Sequence, residues 1–186
     1  FPSLKAGPIM NKNAPETQNL ARAHPQPPNP LPFALHRFMV PVSLQSLQKR
    51  DIVYAGMLFN FSTATTAHIQ SVWISAYFSD RLKRSPSSAL KHEEALEALR
   101  YEAILHNRFG YWRHPTDWGN RAPSFVYDSL TYFGLLLHDL GVSSRRKSSY
   151  MAEILQPYGP RDFENVYQEW QENADAYSCN ATNGGC

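Results

Sequence analysis

The chain has 186 residues, 42% hydrophobic and 13% aromatic, enough for one ordinary domain with a core and too apolar for wholesale disorder. Its 18 basic and 16 acidic residues leave a formal net charge of +2, too weak a field to point to nucleic acid or an anionic membrane surface. Only two cysteines occur, Cys179 and Cys186, which excludes a disulfide framework, and no run reaches the roughly 18 apolar residues that span a bilayer.

The N-terminal "FPSLKAGPIMNKNAPE" lacks the basic start and apolar run of a signal peptide, and no initiator Met precedes it. The expectation is a cytoplasmic chain that is processed, truncated or cut from a longer protein. Residues 1–40 read as a proline-rich connector, with five prolines in "HPQPPNPLP" alone. Proline removes backbone donors and holds its predecessor extended, so this stretch lies on a folded body or offers a ligand for a small recognition domain. "FALHRFMVP" (Phe33–Pro41) suits a short strand or an extended piece.

"DIVYAGM" (Asp51–Met57) is the best strand in the sequence. A short, nearly continuous apolar run of this kind fits a strand buried on both faces of a parallel sheet. The period then changes. Ile69, Val72, Trp73, Ala76 and Tyr77 recur at helical spacing, with His68, Ser71, Ser75 and Ser79 opposite, which predicts a helix over Thr65–Asp80. Ser62, Thr63, Thr65 and Thr66 all qualify as caps. A second helix is predicted near Ser88–Arg108 on a stripe of Ala95, Leu96, Leu99, Ala103 and Ile104, with Gly110 beyond its end. "APSFVYDSLTYFGLLLHDLGV" predicts a third, from Pro123 to a stop at Gly141. "SYMAEIL" is a short helical piece, and "GPRDFENVYQEWQENA" a fourth helix starting at Pro160. The chain thus divides into a connector over 1–40, a strand and helix over 41–82, a helical region over 83–175 and a loose tail over 176–186. A lone buried strand needs neighbours for its backbone groups. They come from short upstream pieces or from outside this sequence.

The usual chemical signatures are missing. No G-x-G occurs among the nine glycines, so there is no dinucleotide fingerprint or Walker loop, and there is no G-x-S-x-G. "HEEAL" starts like a zinc-protease motif, but Leu96 replaces the second histidine. The seven histidines are scattered, so no metal site is expected. Arg145, Arg146 and Lys147 form a basic triplet that suits a solvated loop or a phosphate. The sequons at Asn60 and Asn180 read as chance matches.

What remains is strand, Gly56, a polar loop and a helix start. In parallel sheets ligands bind beyond the carboxyl ends of the strands, and a helix start presents free N–H groups with about half a positive charge. On spacing alone the plain reading is a capped strand–helix turn without ligand; the other is a grip on a phosphate, carboxylate or carbonyl.

Several ordered segments resemble the C-terminal part of fungal flavin-containing monooxygenases. They are "RFMVP" (Arg37, Phe38, Pro41), the run ending at Gly56, the helix with Ile69, Gln70, Ser71 and Trp73, and then "PSFVYDSLTYFGLLLHDLGV", "RRK" and "ILQPYGPRDFENVYQEW". The resemblance covers roughly residues 31–172. It implies an α/β parent with two dinucleotide-binding domains, of which this chain is a mostly α-helical C-terminal fragment carrying the last parallel strand of the FAD domain. It places Gly56, Asn60, Phe61, Ser62, Thr63, Thr65, Thr66 and Gln70 at FAD, with backbone near Asn60–Thr66 at the isoalloxazine edge or ribityl chain. In the parent, NADPH reduces FAD, O2 gives a flavin hydroperoxide, and oxygen passes to a small organic substrate. The family's FAD and NADPH fingerprints lie upstream of Phe1, so the resemblance implies inactivity without that part. The competing reading is a truncated, non-catalytic helical interaction or regulatory module.

Overall fold

The structure, a computed structural model, describes residues 35–113, 125 and 128–182. The proline-rich stretch through residue 34, together with His114 and Pro123, lies outside the described residues. The described part is mostly helical with one small sheet.

That sheet is a tight antiparallel pair, β1 (Leu35–His36) and β2 (Val40–Pro41), with Leu35 opposite Pro41 and His36 opposite Val40. Arg37 and Phe38 make the turn at φ 52 and φ 59, left-handed values that cost a non-glycine residue roughly 1–2 kcal/mol each. Phe38 is buried among aromatic rings, and Arg37 is locked by ion pairs described below. Those contacts hold the strained turn.

α1 (Leu44–Lys49) follows, capped by Ser43, whose hydroxyl accepts from the Ser46 N–H, and closed by Arg50 at φ 48. Nothing in the sequence pattern predicts it. Six residues with a single buried side chain, Leu47, carry no readable period.

The predicted parallel strand at Asp51–Met57 is not a strand in the described chain. The Tyr54 N–H donates to the Met39 carbonyl at 2.9 Å, but no ladder forms, and Ile52 is 43% exposed. The reason is cooperative. An apolar run becomes a strand only where neighbours present a row of backbone groups, and β1–β2 is too short to do so. Gly56, at φ 72, then turns the chain toward the helix.

α2 (Thr63–Phe78) carries the predicted stripe inward: Ile69, Trp73, Ala76 and Tyr77 have no exposed surface and Val72 almost none. Each such large side chain contributes about 1.5–3 kcal/mol by leaving water. A 3-10 turn (Pro86–Lys91) leads into α3 (Glu93–Arg113), which buries Leu96, Leu99 and Ala103 and runs through Gly110, past its expected end. α4 (Ser129–Leu140) packs on α2 and stops at Gly141, as expected. Gly141 sits at φ 77, and a Cβ there would lie 2.9 Å from Lys83 Cδ. α5 (Tyr150–Leu155), a 3-10 turn (Pro160–Phe163) and α6 (Val166–Thr182) complete the fold. α6 extends into the stretch that reads in sequence as a loose tail. Among the described residues, no helix is long and apolar enough to cross a membrane.

Candidate functional site

α2 begins without the cap that its composition promises. Ser62 is its N-cap residue at φ −90 and ψ 48, yet the Ser62 hydroxyl makes no capping bond. The first-turn N–H groups therefore lack the usual side-chain acceptor. This turn opens on a cavity of about 290 Å³. Phe61, Ser62, Thr63, Ala64 and Thr65 form one side. Leu130 and Phe133 of α4 face them, and Tyr158, Gly159, Pro160 and Phe163 supply the third wall. Phe61 is 73% exposed at the rim.

Four of the predicted site residues thus meet at the cavity: Phe61, Ser62, Thr63 and Thr65. The other four do not line it: Asn60 and Thr66 bond around the helix start, and Gln70 ties Gly56 to the body of the fold. Buried Asn60 donates from Nδ2 to Thr66 Oγ1 at 2.5 Å, and Thr66 Oγ1 donates to the Ser62 carbonyl at 2.9 Å. With its amide committed inward, Asn60 offers no attachment point for a glycan in the folded chain. Gln70, 1% exposed, is a tie rod. Its Oε1 accepts from the Gly56 N–H at 3.1 Å, and its Nε2 donates to the Tyr132 hydroxyl at 2.8 Å. The Tyr132 hydroxyl in turn donates to the Arg37 carbonyl at 2.9 Å, and burial pushes that hydroxyl's pKa well up. Gly56 is thereby fixed to α2, α4 and the β1–β2 turn.

A deeper polar cluster escaped the sequence analysis. Arg37 Nε donates to Asp139 Oδ2 at 2.7 Å, Arg37 Nη2 to Asp139 Oδ1 at 3.1 Å, and Arg37 Nη1 to Glu102 at 2.6 Å. Trp73 Nε1 donates to the same Asp139 at 3.2 Å. Burial works against the Arg37 charge, but Asp139 and Glu102 outweigh it and raise its pKa. His36 lies alongside, its Nδ1 buried without a hydrogen-bond partner among the described residues and 3.9 Å from Glu102. Burial first, then the Arg37 and His106 charges, hold His36 well below the ordinary imidazole range. The signal available was "RFMVP", which carries the family resemblance. Its arginine's partners lie 65 and 102 residues away, beyond the reach of any local pattern. Among the described residues no group of three or more His, Cys, Asp or Glu side chains is placed to hold a metal ion.

The basic triplet lies in the loop after α4, but Arg146 and Lys147 are turned to acidic partners rather than to solvent. Arg146 pairs with both oxygens of Glu169 at 2.6 and 2.7 Å and donates to the Asp162 carbonyl at 2.7 Å. Lys147 Nζ meets both Asp162 oxygens at 2.8 Å. Only Arg145 of the three is left exposed.

The order of these segments along the chain is matched in characterised proteins. An FAD-dependent monooxygenase of Aspergillus nomiae is 32% identical over 138 residues, covering 74% of this chain and 22% of that protein. One from Aspergillus sclerotiorum is 29% identical over 177 residues, 93% of this chain and 27% of the relative. One from Pyrenophora dematioidea is 33% identical over 119 residues, 64% and 20%. The chain belongs with the fungal FAD-dependent monooxygenases. The chain spans about a quarter, or less, of the length of those relatives. No family model matches it, and no solved structure does.

Proposed function

We propose that this chain is the C-terminal portion of a flavin-dependent monooxygenase and that the start of α2 faces the flavin ring of FAD. The observation that carries this reading is the uncapped first turn of α2 opening on the cavity. Its volume, about 290 Å³, lies at the low end for ligand sites and suits a ring system rather than a whole dinucleotide. The lining fits the group. Phe61, Phe133, Tyr158 and Phe163 offer apolar faces, and the N–H groups near Ser62–Thr65 offer donors with a positive helix end. Held there by the first-turn N–H groups and the aromatic lining, FAD would supply the redox chemistry that links NADPH and O2 to oxygen transfer onto a small organic substrate. This chain's part is to hold the ring edge, exclude water and stabilise negative charge on the reduced ring. The phosphate-cradling loops for FAD and NADPH belong to the rest of the enzyme, so the 186 residues alone bind FAD weakly and do not oxidise NADPH.

The test is Thr63→Asp against Thr63→Ser in the longer protein. A carboxylate at the helix start opposes an anionic ring. At ~0.3–2 kcal/mol for the helix-end field, flavin affinity or reduction by NADPH falls several-fold to roughly tenfold, while Thr63→Ser changes little. If Thr63→Asp instead melts higher and binds flavin normally, the helix start faces water and the reading is wrong.

A second reading, a non-catalytic interaction module, is favoured by one surface. Tyr150, Met151, Ile154 and Leu155 of α5 are 59–71% exposed, an apolar face open to solvent. Self-association or partner binding lost on Ile154→Glu, with no flavin effect from Thr63→Asp, would favour it.

A further inference from the structure

The third wall of the cavity is not part of any long helix. Tyr158, Gly159, Pro160 and Phe163 belong to the connection between α5 and α6, and its shape is set by charge. Arg146 reaches across to Glu169 on α6 and to the Asp162 carbonyl. Lys147 Nζ binds the Asp162 carboxylate and the Pro157 carbonyl, and lies 5.2 Å over the Tyr158 ring. Asp162 then accepts from the Gly159 N–H at 2.7 Å. Glu153 closes the knot, accepting from the Lys147 N–H at 2.8 Å and from the Tyr158 hydroxyl. The Lys147, Asp162 and Tyr158 side-chain bonds end on the wall or on a residue next to it or on Glu153, and the Arg146–Glu169 pair ties the loop to α6. Phe163 anchors the apolar side of the wall: it is 3% exposed, joins the hydrophobic core and stands edge-on to Phe133 at 5.2 Å.

We infer that Arg146 and Lys147 are positioning residues: their ion pairs with Glu169 and Asp162 hold the 157–163 connection against the start of α2 and so set how firmly a planar ligand is gripped in the cavity. This rests on the reading that the cavity receives the flavin ring, and it adds a control on that site. The wall rides on these ion pairs as well as on the packing of Phe163. It loosens without unfolding the body of the domain, because Ile69, Trp73 and Tyr77 of α2 make none of these bonds. The basic triplet that reads in sequence as a loop or a phosphate site is the latch of an aromatic wall.

The test is amide hydrogen exchange of the 186-residue chain, comparing Arg146→Gln, Glu169→Gln and the double variant. The clamp predicts that exchange in 157–163 rises roughly three- to tenfold in each single variant, while 69–77 is unchanged. The double variant should be no faster than either single one, since both break the same bond. Lys147→Arg should keep protection and Lys147→Gln lose it. Unchanged exchange in 157–163, or a uniform rise across α2 and the wall, overturns the proposal. FAD affinity of the longer protein is read in parallel. A wall that loosens while affinity stays constant refutes the cavity as the flavin site but leaves the latch standing.

Discussion

Two polar knots hold this chain together, and they differ in depth. The Arg37–Asp139–Glu102 cluster lies in the core: Asp139 is 1% exposed, and the cluster joins the β1–β2 turn, α2, α3 and α4. In the Arg146–Glu169 and Lys147–Asp162 pairs the cations are 7% and 11% exposed, but the carboxylates, at 36% and 18%, stay open to water, and the pairs tie one connection to one helix. Buried charges are costly to strand, because the partner left behind cannot reach water. Part-exposed pairs are worth little each, because water substitutes for a lost partner. The deep knot therefore specifies the fold, and the shallow one can be loosened without harm to it. The cavity lies where the second kind of control operates.

The largest test of this contrast is Asp139→Asn. It leaves the Arg37 charge buried without its main counter-ion and should cost about 3–5 kcal/mol, read as a fall in the urea midpoint. A loss below 1 kcal/mol would place both knots in the same class.

Gln70→Ala comes next. It removes the acceptor of the Gly56 N–H and one partner of the buried Tyr132 hydroxyl, for about 1–3 kcal/mol. A merely ligand-facing Gln70 would leave unliganded stability unchanged.

A gentler effect comes from pH. His36 is neutral in the fold because its pKa is depressed, chiefly by burial, and His106 is lowered for the same leading reason. The unfolded chain protonates its imidazoles near pH 6.5. As pH falls below that value the unfolded state binds protons that the folded state refuses, so stability declines until the depressed pKa is reached. His36→Gln should flatten this decline between pH 7 and 5.5 in denaturation profiles. An identical slope in both proteins would remove His36 from the account.

The smallest effect belongs to the shallow knot. Glu169→Gln should lower global stability by under about 1 kcal/mol in the same urea assay. A loss as large as that of Asp139→Asn would erase the distinction.

What the sequence made legible follows the range of the interactions. α2 and α4 could be read because their stripes and stops, Ile69 to Tyr77 and Gly141, are local. The strand at Asp51–Met57 was misread because its composition suits a ladder that the described chain does not supply. At the site, the hydroxyl-rich helix start was visible, and Phe61, Ser62, Thr63 and Thr65 do meet at the cavity. The side chains of Asn60, Thr66 and Gln70 are committed to one another and to Gly56 and Tyr132, a structural role that the family resemblance, with its backbone contacts near Asn60–Thr66, leaves unstated. Side-chain type alone does not separate a tie rod from a ligand contact. The far wall was hidden, because Tyr158 and Phe163 reach Thr63 only after α3 and α4 have folded back.

The reach of Arg37 also sets a schedule for the growing polypeptide. Its carboxylate partner Asp139 follows it by 102 residues. At ribosomal speeds of about 5–20 residues per second, roughly 5–20 s pass between the synthesis of the two. Through that interval the β1–β2 turn holds two residues in left-handed backbone with nothing to repay the strain, and its guanidinium remains in water. The turn thus cannot settle at the head of the chain and wait. It cannot dock before α4 has left the exit tunnel, so the first described segment to be made depends on a partner made about 100 residues later.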